Sequence, residues 1–208
     1  MINKNIIIKI ILFFFGYSVG KTSLLEQYVN NKFIQNYKET IGADFLSKDI
    51  QKGENNIQLQ IWDTAGQEKY NSMGQSFYRN TETCVLVFDL TAKESFDNIE
   101  IWRNNFLGSL NLSNNDNFPF ILVGNKSDLK DDILVNDDEI NDYCQQHSNM
   151  PYFATSAKEK INLEELFSKV AELAVERYNK NENENSDLAE KKFVKVKVDQ
   201  KKKKCCGK

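Results

Sequence analysis

Apolar residues along this chain gather in short continuous runs, and the stretches between the runs repeat at helical spacing. Residues 6–15, 84–88 and 118–123 are runs of that kind and predict buried strands, the latter two covered on both faces, and 152–154 is a shorter apolar run. Residues 23–30, 95–110, 137–147 and 163–178 carry helical patterns between them. Asn162, with Glu165 three residues on, has the form of a helix N-cap and its box partner. Residues 44–51 and 57–62 read as two further strands, joined by Lys52-Gly53-Glu54-Asn55-Asn56, a hairpin connection with Gly and Asn where turns use them. Buried strands alternating with amphipathic helices predict an α/β fold. It has three layers: a mainly parallel six-stranded sheet, one strand of it antiparallel, with helices on both faces.

Length and composition set boundaries on that picture. The 208 residues suffice for one domain and a tail, and 40% hydrophobic content supports a substantial core. The domain is placed at residues 1–178. From 179 the texture turns polar and then lysine-rich, so 179–208 is expected to be a largely disordered tail. Within it, Phe193-Val194-Lys195-Val196-Lys197-Val198 alternates like a strand without an obvious partner, which suits a partner-binding or extended segment. Residues 191–208 hold nine Lys against one Asp, a charge of +8, so the chain's net −3 leaves −11 on the rest. A basic tail on an acidic body favours an anionic surface such as a membrane leaflet.

The first apolar run, with Lys4 before it, has the outline of a secretory signal. Lys9 interrupts it, however, no small-residue cleavage site follows, and it is too short to span a bilayer. A buried central strand fits it better. Four cysteines are too few and too scattered for a disulfide framework. Cys84 and Cys144 read as core thiols, whereas Cys205 and Cys206 are adjacent in the tail. His147, the only histidine, falls near a helix end, and nothing else resembles a metal cluster.

Candidate chemistry sits at the ends of the strands. Gly16-Tyr17-Ser18-Val19-Gly20-Lys21-Thr22-Ser23 joins the first strand to the first helix, the context of a phosphate loop. There, backbone N–H groups and a helix N-terminus face the phosphates, the lysine offsets charge, and the threonine hydroxyl reaches Mg²⁺. The pattern G-x-x-x-x-G-K-[ST] wants a glycine at position 15, where this chain has Phe15; its glycine comes one residue later. In Ile61-Trp62-Asp63-Thr64-Ala65-Gly66-Gln67-Glu68, Asp63 ends a strand and suits Mg²⁺ through water. Gly66 lets its N–H approach a terminal phosphate, and Gln67 can orient an attacking water. Asn125-Lys126-Ser127-Asp128 follows the strand that ends at Gly124. A carboxylate at Asp128 can accept hydrogen bonds from both N1–H and N2–H₂ of guanine. Adenine has no such donor pair and would leave the carboxylate desolvated and unpaired. Asn125 can bond the base or brace the loops, and the Lys126 stem can lie over the ring. Thr155-Ser156-Ala157-Lys158, after the run 152–154, offers backbone N–H groups to the guanine carbonyl.

These motifs, in this order, resemble a Ras-like small GTPase and specifically a Rab, over about residues 6–178 with further similarity at the C-terminus. Thr40-Ile41-Gly42-Ala43-Asp44-Phe45, the run from Trp62 to Tyr70 and Phe77-Tyr78-Arg79 resemble segments that mark Rabs. Tyr37-Lys38-Glu39-Thr40 through Leu46 and Asn117-Phe118-Pro119-Phe120 are similar to the late-endosomal branch, Rab seven. The resemblance implies a P-loop GTPase fold, with GTP/GDP and Mg²⁺ as cofactors. Lys21 would contact the β- and γ-phosphates, Thr22 and Thr40 would bind Mg²⁺, and Tyr37 would lie against the nucleotide. Thr40 would sense the γ-phosphate in switch I, and Gly66 and Gln67 in switch II. No built-in arginine finger is evident, which implies slow intrinsic hydrolysis and a partner whose arginine adds about 10³–10⁵ in rate. Cys205-Cys206-Gly207-Lys208 fits the double-cysteine ends that Rabs use for geranylgeranylation, and residues 201–204, all Lys, would add attraction to an anionic leaflet.

The phosphate loop departs from the family. Phe15 stands in the place of its first glycine, and Gly16-Tyr17 where Asp or Glu and then Ser are usual. Either three residues are substituted or the loop is one residue short, and both weaken phosphate binding. The expectation is a Rab-type GTP/GDP switch that recruits effectors in vesicle traffic, endosomal or lysosomal. It would act at the cytoplasmic face of intracellular membranes, with a cytosolic pool. Its partners would be an exchange factor, a GTPase-activating protein, a GDP-dissociation inhibitor or escort protein, and effectors, with no nucleic acid. Two alternatives stay open: a degenerate Rab that binds partners without an efficient nucleotide cycle, and an ATP-using phosphate-loop kinase, which Asn125-Lys126-Ser127-Asp128 opposes.

Overall fold

A computed structural model of the chain describes residues 5–14, 19–33, 43–52, 55–64, 78, 80–113, 117–181 and 183, with the backbone alone at 5–14, 43, 52, 55 and 64. Its strands are β1 (Asn5–Phe14), β2 (Ala43–Lys52), β3 (Asn55–Thr64), β4 (Thr83–Asp89), β5 (Phe120–Asn125) and β6 (Tyr152–Ala154). They form one sheet in the order β2-β3-β1-β4-β5-β6. Only β2 is antiparallel to its neighbour; the other pairs are parallel. The helices are α1 (Lys21–Asn30), α2 (Lys93–Asp97), α3 (Ile99–Ser109), α4 (Asp137–Gln146) and α5 (163–181).

Continuous apolar runs became two-faced strands because successive side chains point to opposite sides. Val85, Val87, Ile121 and Val123 face a core shared with Leu24 and Leu25 of α1 and Phe167 and Val170 of α5. Cys84, Leu86, Phe88, Phe120 and Leu122 face the other core, with Phe106 of α3 and Ile140 and Cys144 of α4. The α/β class with helices on both faces, and the buried state of Cys84 and Cys144, therefore agree with the sequence pattern.

Local chemistry moved several boundaries. The expected helix 95–110 is broken at Asn98, whose side chain donates to Glu94 O at 2.8 Å and competes with the helical ladder. β5 begins two residues later than expected because Pro119 has no N–H to give a ladder; its carbonyl accepts from Cys84 N instead. The β2–β3 ladder runs on to Lys52↔Asn55, so Asn55 and Asn56 pair as strand residues rather than turning the chain. Asn162 does not cap α5 in the expected way. Its backbone is left-handed at φ 56 and its side chain donates to Ala154 O at 2.7 Å, tying β6 to the helix start. The capping box is found instead at α4, where Asn136 accepts from Glu139 N at 2.9 Å and Glu139 returns the bond. α5 continues to 181, past the expected end at 178, and most of the tail lies outside the described residues.

The strand order reverses at β1, where the chain turns first toward β3 and then across to β4. Open α/β sheets bind ligands in the crevice outside the carboxyl ends of their strands at such a point.

Candidate functional site

β1 ends at Phe14 and α1 begins at Lys21, so residues 15–20 leave a central strand at the reversal point and enter a helix. Val19 is buried in the core beneath this connection. Gly20 has φ 88, in the left-handed region, and a Cβ there would lie 2.4 Å from Asn125 Nδ2. Glycine is needed both for the backbone angle and for the room. The first turn of α1, Lys21-Thr22-Ser23, holds no acidic residue, and no side chain among the described residues caps it. Its backbone donors therefore suit an anion. The Lys21 side chain is buried at the same end.

Across from α1, Asp63 on β3 is fully buried. Thr22 Oγ1 donates to its Oδ2 at 2.6 Å, while Oδ1 is buried with no hydrogen-bond partner among the described residues. Burial raises the Asp63 pKa, opposed by the Thr22 hydrogen bond and the Lys21 charge. A buried carboxylate oxygen without a partner is costly and demands an explanation. A hydroxyl beside a carboxylate fits Mg²⁺, which takes hard oxygen ligands, keeps waters and binds through one or two carboxylates beside phosphates.

Asn125-Lys126-Ser127-Asp128 and Thr155-Ser156-Ala157-Lys158 sit at the ends of β5 and β6 and are closely bonded. Asn125, buried, donates from Nδ2 to Val19 O at 2.8 Å and accepts at Oδ1 from Ala157 N at 3.3 Å. One side chain thus ties the connection before α1 to the loop after β6. Ser156 Oγ donates to Asp128 Oδ1 at 2.6 Å and accepts from Glu159 N at 3.0 Å, which orients the carboxylate. Ser127 N donates to Thr155 O at 2.9 Å, joining the two loops again. Lys126 is left-handed at φ 66, and its Nζ lies 2.6 Å from Asp89 Oδ2. Lys158 is exposed, with its Nζ 3.5 Å from Glu159 Oε1.

Val19, Gly20, Lys21, Thr22 and Asp63 are accordingly gathered with Asn125, Lys126, Asp128, Ser156 and Ala157 at one edge of the sheet. Phe15, Gly16, Tyr17, Ser18, Tyr37, Thr40, Gly66, Gln67, Cys205 and Cys206 lie outside the described residues. Two features carried no role in the sequence reading. Asp89 ends β4 as Asp63 nearly ends β3, and an acid at the carboxyl end of a buried strand was the available signal. Phe45 on edge strand β2 is 43% exposed and packs edge-on against Trp62, ring centroids 5.1 Å apart, an aromatic surface suited to protein contact.

Residues 9–176 match the Ras family. The chain is similar to the Ras-related protein Rab-7a of Dictyostelium discoideum, 46% identical over 173 residues covering 83% of this chain and 84% of that protein. It is 50% identical to the Ras-related protein Rab7 of Pisum sativum over 159 residues, 76% of this chain and 77% of that one. The Ypt/Rab-type GTPase ypt7 of Schizosaccharomyces pombe is 48% identical over 159 residues, 76% of this chain and 78% of its own. With most of the length aligned at such identities, the chain belongs to the Rab family of Ras-like small GTPases, in its Rab7 branch.

Proposed function

We propose that the edge of the sheet described above is the guanine-nucleotide site of a GTP/GDP switch, with each residue in a stated role. Asn125 is the observation that carries it: a buried side chain with no apolar function joins a loop suited to phosphates to a loop suited to a base. As a member of the Rab7 branch the chain binds guanine nucleotides, hydrolyses GTP and acts in late-endosomal traffic. Asp128 accepts from the two guanine donors while Ser156 holds it, and Lys158 offers its backbone N–H to the guanine carbonyl beside Ala157, whose own N–H bonds Asn125 Oδ1. Lys21 and the start of α1 take the phosphates. Mg²⁺ would be held by the Thr22 and Thr40 hydroxyls and, through water, by Asp63, and when bound it offsets charge between the β- and γ-phosphates. Gln67 orients the attacking water, with Gly66 and Thr40 sensing the γ-phosphate.

Regulators and effectors act on such a switch. An exchange factor would release GDP, a GTPase-activating protein would supply an arginine, and a GDP-dissociation inhibitor or escort protein would carry the lipidated chain. The exposed Phe45–Trp62 pair, beside the segment that holds Thr40, is a surface for effectors. No helix among the described residues is long and apolar enough to cross a membrane. Geranylgeranyl groups on Cys205 and Cys206, with the lysines of 201–204, would hold the chain to the cytoplasmic face of endosomal or lysosomal membranes and leave a cytosolic pool.

Identification of the nucleotide released from the purified protein on denaturation tests the site. GDP is expected, with phosphate released from added GTP. Asp128→Asn should weaken GDP by about a hundredfold and improve relative binding of xanthine nucleotides. A protein that holds no guanine nucleotide, or an unchanged guanine preference in the variant, overturns the assignment.

A further inference from the structure

We infer that Asp89 is a positioning residue of the nucleotide site, holding the Lys126 side chain where a base would lie against it. The inference rests on the proposed function, since it assigns Lys126 to the base. Asp89 and Asn125 are register partners at the ends of β4 and β5, so Asp89 and Lys126 leave adjacent strands side by side. The Asp89 carboxylate is nearly closed to solvent and its two oxygens are used differently. Oδ1 accepts from Thr91 N at 2.9 Å and from Thr91 Oγ1 at 2.7 Å. Oδ2 meets Lys126 Nζ at 2.6 Å, a charge-assisted contact. The backbone is held as well, with Asp89 N donating to Ser95 Oγ at 3.0 Å.

Lys126 is the opposite kind of residue. Its side chain keeps 31% of its surface open, and its stem is flexible where the Asp89 carboxylate is not. Anchored only at its tip, the stem has one end fixed by the motif backbone and the other by β4. It presents its methylenes as a preformed surface beside Asp128. Without the anchor, the stem regains rotamer freedom that a bound nucleotide must then remove, so the loss appears as faster release.

GDP dissociation rates from the full chain test this in a double-mutant cycle. Asp89→Asn keeps the size and the Thr91 contacts, and should speed release about tenfold, equivalent to about 1.4 kcal/mol. Lys126→Met should speed it comparably. Adding Asp89→Asn to Lys126→Met should give no further acceleration, because the residue it positions is gone. A purely structural Asp89 would give additive effects, and that result overturns the inference, as does release at the parent rate from Asp89→Asn. Should that variant fail to fold, Thr91→Val, which removes one orienting donor, replaces it in the same cycle with the same expectation. A parent protein that holds no GDP overturns the proposed function itself, a result distinguishable from additivity in a protein that does.

Discussion

Helices α1 and α4 each start beyond the carboxyl end of a parallel strand, and their first turns are finished in opposite ways. α4 has Asn136 as its cap, Glu139 closing the box, and Asp137, Asp138 and Glu139 in its first turn, so acids and caps complement the helix dipole. α1 follows a left-handed glycine, has no side-chain cap among the described residues, no acid in its first turn, and a lysine as its first residue. A cation at a helix N-terminus is unfavourable in isolation. Where a helix start serves only the fold, the chain supplies its own negative charge; at α1 it supplies positive charge, which suits an anionic ligand. Asp63 Oδ1 opposite α1, without a hydrogen-bond partner among the described residues, has the same character.

The comparison breaks hardest at Gly20. Gly20→Ala puts a Cβ 2.4 Å from Asn125 Nδ2 at a backbone angle that costs an L-residue about 1–2 kcal/mol. Asn125 would have to yield its bonds to Val19 O and Ala157 N, so the damage spreads from phosphates to base. GDP affinity should fall about a hundredfold, or about 2.7 kcal/mol, in equilibrium titration. Parent-like affinity would mean that α1 is not the phosphate end.

A smaller effect, in the other direction, is expected at Phe15. Phe15 lies outside the described residues, and two alignments of its loop differ: Phe15 in the first-glycine slot among three substitutions, or a loop one residue short with Gly16 as its first glycine. In the first alignment the Phe15 side chain disturbs the turn that aims backbone N–H groups at the β-phosphate. Phe15→Gly should then slow GDP release about tenfold. Faster release with lowered stability would instead favour the shorter loop, which an insertion after Tyr17 should repair. Among the described residues nothing favours a partner-binding protein without a nucleotide cycle.

How far these contrasts could be read in advance depended on whether they are local. The two-faced strands were legible because Cys84-Val85-Leu86-Val87-Phe88 needs only period two and continuous burial. The family was legible because residue type and order in the four motifs suffice to mark it. Asn98 was not, since its break depends on a side chain turning back to Glu94 O, and the same residue is tolerated inside many helices. Asn162 carried a cap signature that a tertiary bond to Ala154 O overrode. The Asp89–Lys126 pair joins positions 37 apart, and only the β4–β5 register brings them together.

The smallest expected effect falls at the other helix. Asn136→Ala removes the side-chain acceptor for Glu139 N and should cost about 1 kcal/mol of stability, seen as a fall of roughly 2–4 °C in Tm for a domain of this size. GDP release should stay at the parent rate, because Asn136 contacts neither loop of the site. The path by which this could fail is specific. Leu134 N and Val135 N both bond Leu90 O, and Leu129 N bonds Lys126 O, so the segment before α4 is attached to both Lys126 and the strand end that carries Asp89. If loosening the start of α4 also accelerated GDP release, strain would be passing along that segment. α4 would then belong to the nucleotide site, and its finished first turn would be part of the switch rather than its contrast.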